Sequence, residues 1–379
     1  MKLQMPVVPL IKPYRLMINK KILFIAFIFL FSHQIKALDS RLYLIHADSS
    51  LGKMVEGEKV RYLIGNVSAR QDTINILCDR LVFYEERDVA EFIGNVLIDD
   101  SHHKLWANKI IYNTETRTAN CTGNVRISGQ DDSLYAEKFI YQFRSGNTWA
   151  EENLFVWDKQ NNAKIKGDAG EYDADNLETH IQGNAYFEHH EPGKPDTLII
   201  TSKNMAYFGT EPKRAIAEDS VRIFKGGVRA SCDSATYFTT DELVTLRVNP
   251  VAWQGVNEMT GMKIDFTLDS LKIDEIFIFE QAQIKSLADT LENTYNLLKG
   301  KTIQVSMVEG VPDKVIARRN AISVYEIEEN KIKQGTNSAS SDSIIVYFKT
   351  GELDSISIIG GTEGVFYPAE WKGEIKSDY

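Results

Sequence analysis

Apolar and polar residues alternate at period two through most of the chain after residue 40. Val96 and Ile98, Val125 and Ile127, Val221 and Ile223, and Val251 and Trp253 mark one set of segments; Ile110 and Tyr112, and Phe139 and Tyr141, mark another. Successive side chains on a strand point to opposite faces, so this alternation predicts strands with one buried face. Polar stretches separate them: Asp99-Asp100-Ser101-His102, Ser128-Gly129-Gln130-Asp131-Asp132 and Tyr172-Asp173-Ala174-Asp175-Asn176. These read as turns. The best candidate for an amphipathic helix, Ile284 to Leu298, falls in an insertion and is weak.

The strands repeat. Gly65-Asn66-Val67, Gly94-Asn95-Val96 and Gly123-Asn124-Val125 recur every 29 residues; Asn153-Leu154 and Gly183-Asn184-Ala185 follow, with degenerate copies at Asp219, Asn249, Gln281, Asn320 and Gly361. A Gly-Asn pair opening a strand supplies a permissive backbone there. A second signature runs in phase: a small residue, an apolar one three later and an aromatic one five later. Cys78-Leu81-Phe83, Ala107-Ile110-Tyr112, Ala136-Phe139-Tyr141, Gly167-Gly170-Tyr172, Ser202-Met205-Tyr207, Cys232-Ala235-Tyr237 and Gly261-Ile264-Phe266 carry it, with weaker copies at Gly300-Ile303-Val305 and Ser341-Ile344-Val346. From each small residue to the next anchor the distance is 17 six times and then 20 three times. From anchor to small residue it varies between 12 and 21. Insertions survive where a turn faces solvent, so one side of the repeat is fixed by packing and the other is free to lengthen.

A unit of about two strands and two turns cannot bury its own apolar face, whereas stacked units can. The pattern therefore predicts an all-β, one-dimensional antiparallel array, an open β-solenoid-like stack with an apolar interior. Ten rungs at strand spacing would extend roughly 45–50 Å. The step from 17 to 20 divides residues 38–270, with 29-residue-type repeats, from 271–379, with longer ones. The inward positions expected from parity are Val96, Ile98, Ile110, Tyr112, Val125, Ile127, Phe139, Tyr141, Tyr172, Tyr207, Val221, Ile223 and Tyr237. An open array ends in two unpaired edges, which recruit other strands. Leu42, Tyr43, Leu44 and Ile45 are expected at one edge, Val365 and Phe366 at the other. Such edges also allow head-to-tail self-association.

Residues 1–37 read as a signal peptide: Lys20-Lys21, the apolar run Ile22–Phe31, then Ala37. Ten apolar residues are too few to span a bilayer, which takes about 20. The body is then expected outside the cytoplasm. The leader holds six Lys or Arg and no acid, so its removal leaves 37 basic against 53 acidic residues, a net charge of −16. That sign excludes a generic nucleic-acid binder. Hydrophobic residues at 43% and charged ones at 25% exclude a disordered tail and a multi-span membrane protein.

Candidate chemistry is sparse. His102-His103 and His189-His190 lack Cys or carboxylate partners at metal spacing and are read as turn residues. Asp99-Asp100, Asp131-Asp132 and Glu151-Glu152 are read as solvated turn carboxylates. Cys78 and Cys232 fill the slot taken elsewhere by Ala107, Ala136 and Ser202, so they read as small core residues, and three cysteines make no disulfide scaffold. No Ser-His-Asp set, phosphate loop or dinucleotide fingerprint occurs. The reading is a non-enzyme without cofactor or metal.

The Gly-Asn-Val signature with strands such as Ala107-Asn108-Lys109-Ile110-Ile111-Tyr112 resembles the OstA-like (LptA) family of periplasmic lipopolysaccharide transport proteins. The stretches Tyr295–Lys301 and Arg319–Tyr325 look like the later repeats of the longer OstA-like proteins of Bacteroidetes. The resemblance covers about residues 42 to 367. It implies a β-jellyroll, open on one side, whose apolar groove shields the acyl chains of lipopolysaccharide on the way to the outer membrane. It also implies a periplasmic protein, with outer-membrane association as a variant. By β-strand addition such a protein would meet an inner-membrane extraction complex and an outer-membrane translocon. Two alternatives stay open: a structural β-solenoid scaffold with a filled core, and the soluble part of the translocon itself.

Overall fold

The computed structural model describes residues 42–377, apart from 72, 100–102, 161, 191–196, 270–271, 290–293, 330–331 and 350. The leader expected over 1–37, and with it Asp100 and His102, lie outside the described residues. The described residues are strands joined by turns, with no helix among them. The strands are β1 (Tyr43–His46), β2 (Ser49–Val55), β3 (Glu58–Gln71), β4 (Ile74–Tyr84), β5 (Val89–Asp99), β6 (Lys104–Asn113), β7 (Thr118–Ser128) and β8 (Asp132–Gln142). There follow β9 (Thr148–Asp158), β10 (Ala163–Asp173), β11 (Glu178–His190), β12 (Thr197–Phe208), β13 (Arg214–Lys225), β14 (Val228–Phe238), β15 (Leu243–Arg247) and β16 (Val251–Gln254). The last are β17 (Asn257–Thr260), β18 (Lys263–Asp269), β19 (Lys272–Asp289), β20 (Thr294–Val308), β21 (Val311–Glu329), β22 (Ile332–Lys349), β23 (Glu352–Ile359) and β24 (Glu363–Pro368). Where it is described, the helix candidate Ile284–Leu298 is strand: Ile284 of β19 faces Leu298 of β20.

Every pairing is antiparallel, and each rung pairs with the rungs before and after it along the chain. The half-strand pairs β1/β2, β15/β16, β17/β18 and β23/β24 each make one rung, as a single bent strand does elsewhere. Each repeat therefore supplies two rungs rather than one. At about 4.8 Å per rung the array extends roughly 90 Å, twice the length expected from the repeat count.

The Gly-Asn signature corrects a second expectation. It does not open a strand; it lies in the middle of one. Gly94 and Asn95 have φ of +76° and +45° within β5, and the register to β6 shifts between Ile93 and Val96. The same bend falls at Gly65-Asn66, Gly123-Asn124 and Gly183-Asn184. Two consecutive left-handed residues form a bulge that folds the strand into two arms. Aligned bulges make a continuous corner along the array.

Glycine is required at this corner. A Cβ on Gly94 would strike the Asp79 carboxylate, whose Oδ2 accepts from Asn95 Nδ2 at 2.9 Å. Asn66 donates to Asp48 and Asn184 to Asp168 in the same way. Where the glycine is missing the carboxylate partner changes: Asp219, at φ +65°, lies 3.9 Å from Lys203, and Glu280 lies 3.4 Å from Lys301.

The inner faces of the two arms meet in one buried cluster running from Leu63 to Ile344. Arm lengths explain the change of repeat spacing. Strands β3 to β14 hold 10 to 14 residues, and β19 to β22 hold 15 to 19.

Candidate apolar binding groove

The corner sets the parity of each arm, and parity decides which residues face inward. Val96, Ile110, Val125, Ile127, Phe139, Tyr141, Tyr172, Tyr207 and Val221 are all buried in the common cluster. Ile98, Tyr112, Ile223 and Tyr237 are half-buried and pack against it. From β3 to β11 these residues, with Phe92, Leu134 and Phe187, fill the interior; Phe92, Phe139 and Phe187 are among the largest fully buried side chains.

The interior opens between β12 and β19. There an open cavity of about 100 Å³ is lined by Leu198, Ile200, Met205, Ala215, Ile216, Ala217, Ile223, Val228, Ala230, Ala235, Thr236, Tyr237, Val244, Leu246, Phe266, Leu268 and Ile273, with Lys225 as its one charged lining residue. Of the residues expected inward, Ile223 and Tyr237 line it; the others do not. Small residues make the space. On β13 both inward positions of the arm that carries Phe139 in β8 are alanines, Ala215 and Ala217. Ala217 faces Ala235 of β14 across the register, and Ile223 faces Ala230. Parity alone misses this; the signal is small residues at inward positions of two adjacent strands.

Tyr112, Tyr141, Tyr172, Tyr207 and Tyr237 occupy one column on alternate rungs at the outer end of that arm. Burial pushes the phenols of Tyr112, Tyr172 and Tyr207 upward, and that of Tyr237 to about 12. The Tyr112 hydroxyl is hydrogen-bonded to the side chain of Gln71, at the end of the opposite arm of β3.

The opposite arm ends in polar groups over the packed stretch. His103 Nε2 lies 3.8 Å from Asp132 Oδ1, and the Lys159 ammonium donates to the carbonyls of Gly129 and Asp132. Asp132 is buried, not solvated, and desolvation raises its carboxyl above the usual range although His103 and Lys159 oppose this. His189 and His190 lie on β11 rather than in a turn, and His189 is buried. Glu151 and Glu152 sit at the mid-strand bend of β9, where Lys138 Nζ meets Glu152 at 2.6 Å. The three cysteines are free and buried; Cys78 donates to the Arg80 carbonyl at 3.3 Å. Burial holds the thiols of Cys78 and Cys232 near 11 and that of Cys121 near 12. Among the described residues no group of three or more His, Cys, Asp or Glu is placed to hold a metal.

The two ends differ. Leu42 is half-buried and packs on the core, whereas Tyr43, Leu44 and Ile45 of β1, with Leu51 and Met54 of β2, are exposed. Val365 and Phe366 are exposed on β24. Residues 369–377 turn back over the outer face beside β24: Ser338 Oγ donates to the Lys376 carbonyl at 2.5 Å, Lys299 Nζ to that of Ser377 at 3.3 Å, and Trp371 packs on Tyr367.

No curated protein matches the chain. Among solved structures it is similar to LptH, described as the LptA-homologous periplasmic component of the lipopolysaccharide transport device of Pseudomonas aeruginosa. The identity is 15% over 46% of this chain and 82% of that one, with a TM-score of 0.17. The family model described as OstA-like protein matches residues 39–191.

Proposed function

We propose that this protein is a periplasmic lipopolysaccharide carrier, a binding protein rather than an enzyme, which shields acyl chains in its apolar interior on the way to the outer membrane. The observation that carries this reading is the cavity between β12 and β19, whose lining is mostly apolar, with Lys225 its one charged residue. Burying an alkyl chain is worth about 0.8 kcal/mol per CH₂ before ordering costs, so even a partly enclosed chain is held reversibly. The OstA-like match over residues 39–191 supports the choice of cargo and compartment.

A photo-crosslinker at Ile223 or Tyr237 is expected to capture lipopolysaccharide from the native envelope. One at the outward, exposed Phe224 is expected to capture none. Equal capture at both parities overturns the reading. The packed interior from β3 to β11 favours a scaffold role for that stretch, and crosslinkers at Ile127 and Phe139 that stay silent while Ile223 reports would assign it that role.

We assign partner joining to the edges by strand addition, with the β1/β2 rung as the more open one, because residues 369–377 brace the other end. An extraction complex and a translocon are the expected neighbours. Proline at Leu44 removes a backbone donor on an edge strand at little cost to the fold. Leu44→Pro should keep its β circular dichroism and lose partner capture; intact capture would remove β1 as the junction.

A further inference from the structure

Lys225 is the single charged residue lining a cavity that is otherwise alkyl and aromatic save for Thr236. It stands at the last position of β13, beside the Gly226-Gly227 turn, and pairs across the ladder with Leu198 and Val228, both in the lining. It is half-buried. It has no acidic partner among the described residues. Other half-buried lysines do: Lys109, Lys164 and Lys263 lie 2.9, 2.8 and 2.7 Å from Glu91, Glu188 and Asp265. An ammonium partly withdrawn from water and without a counter-ion gains from an anion placed against it. The neighbouring stretch is built the opposite way, with the carboxylates of Asp132 and Asp158 buried at the corresponding end of β8 and β9.

We infer that the β12–β19 cavity takes one hydrocarbon chain bearing an anionic head, a carboxylate or a phosphate monoester, with the chain over Ala217 and Ala235 and the head on Lys225. This rests on the reading that the cavity holds a hydrocarbon chain, and adds that the mouth selects charge. An apolar pocket alone distinguishes a chain from water, not one head from another. One charge-assisted contact at the mouth supplies that selection, and about 1.4 kcal/mol of it is a tenfold preference.

The test uses the full chain with cis-parinaric acid and its methyl ester, which share one fluorescent polyene and differ in charge. The acid is expected to bind about tenfold more tightly than the ester. Lys225→Gln should remove that preference while leaving the ester unchanged, and Lys225→Arg should keep it. Palmitate and lysophosphatidate as competitors then decide which anion is preferred; displacement by either, and not by monoacylglycerol, supports the inference. Equal binding of acid and ester by the unmodified protein overturns the role of Lys225 and leaves the hydrocarbon cavity standing. So does a preference that survives Lys225→Gln. Binding of neither probe overturns both.

Discussion

The stretch from β3 to β11 and the stretch from β12 to β19 use one backbone plan and end with different interiors. Both bend alternate rungs at a pair of left-handed residues, and both turn alternate residues inward. In the first, Phe92, Phe139 and Phe187 reach across between the arms and close the space. In the second, Ala217 and Ala235 stand at the positions of Phe92 and Phe139, and the arms enclose a cavity. A repeat architecture can thus be solid or hollow at constant topology, because inner volume is set by a few inward side chains on adjacent rungs.

The largest effect should come from removing bulk where the interior is full. Phe139→Ala should cost about 3–5 kcal/mol in denaturant unfolding, since it opens space that neighbours only partly refill. A loss below about 1 kcal/mol would mean that the β3–β11 interior is looser than described. Gly94→Ala should follow, at about 1–3 kcal/mol, from a left-handed φ and a collision with the Asp79 carboxylate. Asp79→Ala in the same chain should recover part of it. Asp219→Gly, at the equivalent bend of the hollow stretch, should stay within about 0.5 kcal/mol.

Ala217→Leu sharpens the comparison from the other side. Filling the cavity should leave stability unchanged or raise it by about 0.5–2 kcal/mol, and abolish polyene-probe binding. Destabilisation with intact binding would place the chain elsewhere. Asp132 should give the smallest effect. Its carboxyl is raised above its unfolded value, so its contribution is most favourable below the usual carboxylate range and is lost as pH rises through the folded value. Asp132→Asn should therefore stabilise the protein slightly at neutral pH relative to acid, read as the difference in melting temperature between the two.

Strand parity and repeat phase were legible because both are local: Val125 and Ile127, or Phe139 and Tyr141, alternate within one strand, and the signatures fix the register between strands. The corner was not. A Gly-Asn pair supplies positive φ equally well for a turn or for a mid-strand bulge, and only the unbroken pairing on both sides of Gly94-Asn95 separates the two. Counting repeats as rungs followed from the same misreading and halved the length. The cavity was not legible because it belongs to no single repeat; it appears when Ala217 is set against Ala235 and Ile223 against Ala230. Buried Asp132 and His189 were missed because turn-like composition hides an inward parity that the strand still imposes.

Because each rung pairs only with its neighbours along the chain, every closed loop in the fold is short. The ordering cost of such loops is small, so the sheet can zip from one hairpin to the next, without waiting for distant segments to meet. The same arrangement gives a graded rather than a single-valued stability. Amide protons in the central rungs around β8 should outlast those of β1 and β2 in hydrogen exchange. Loss of the first rung should expose β3 as a new end and leave the remainder folded.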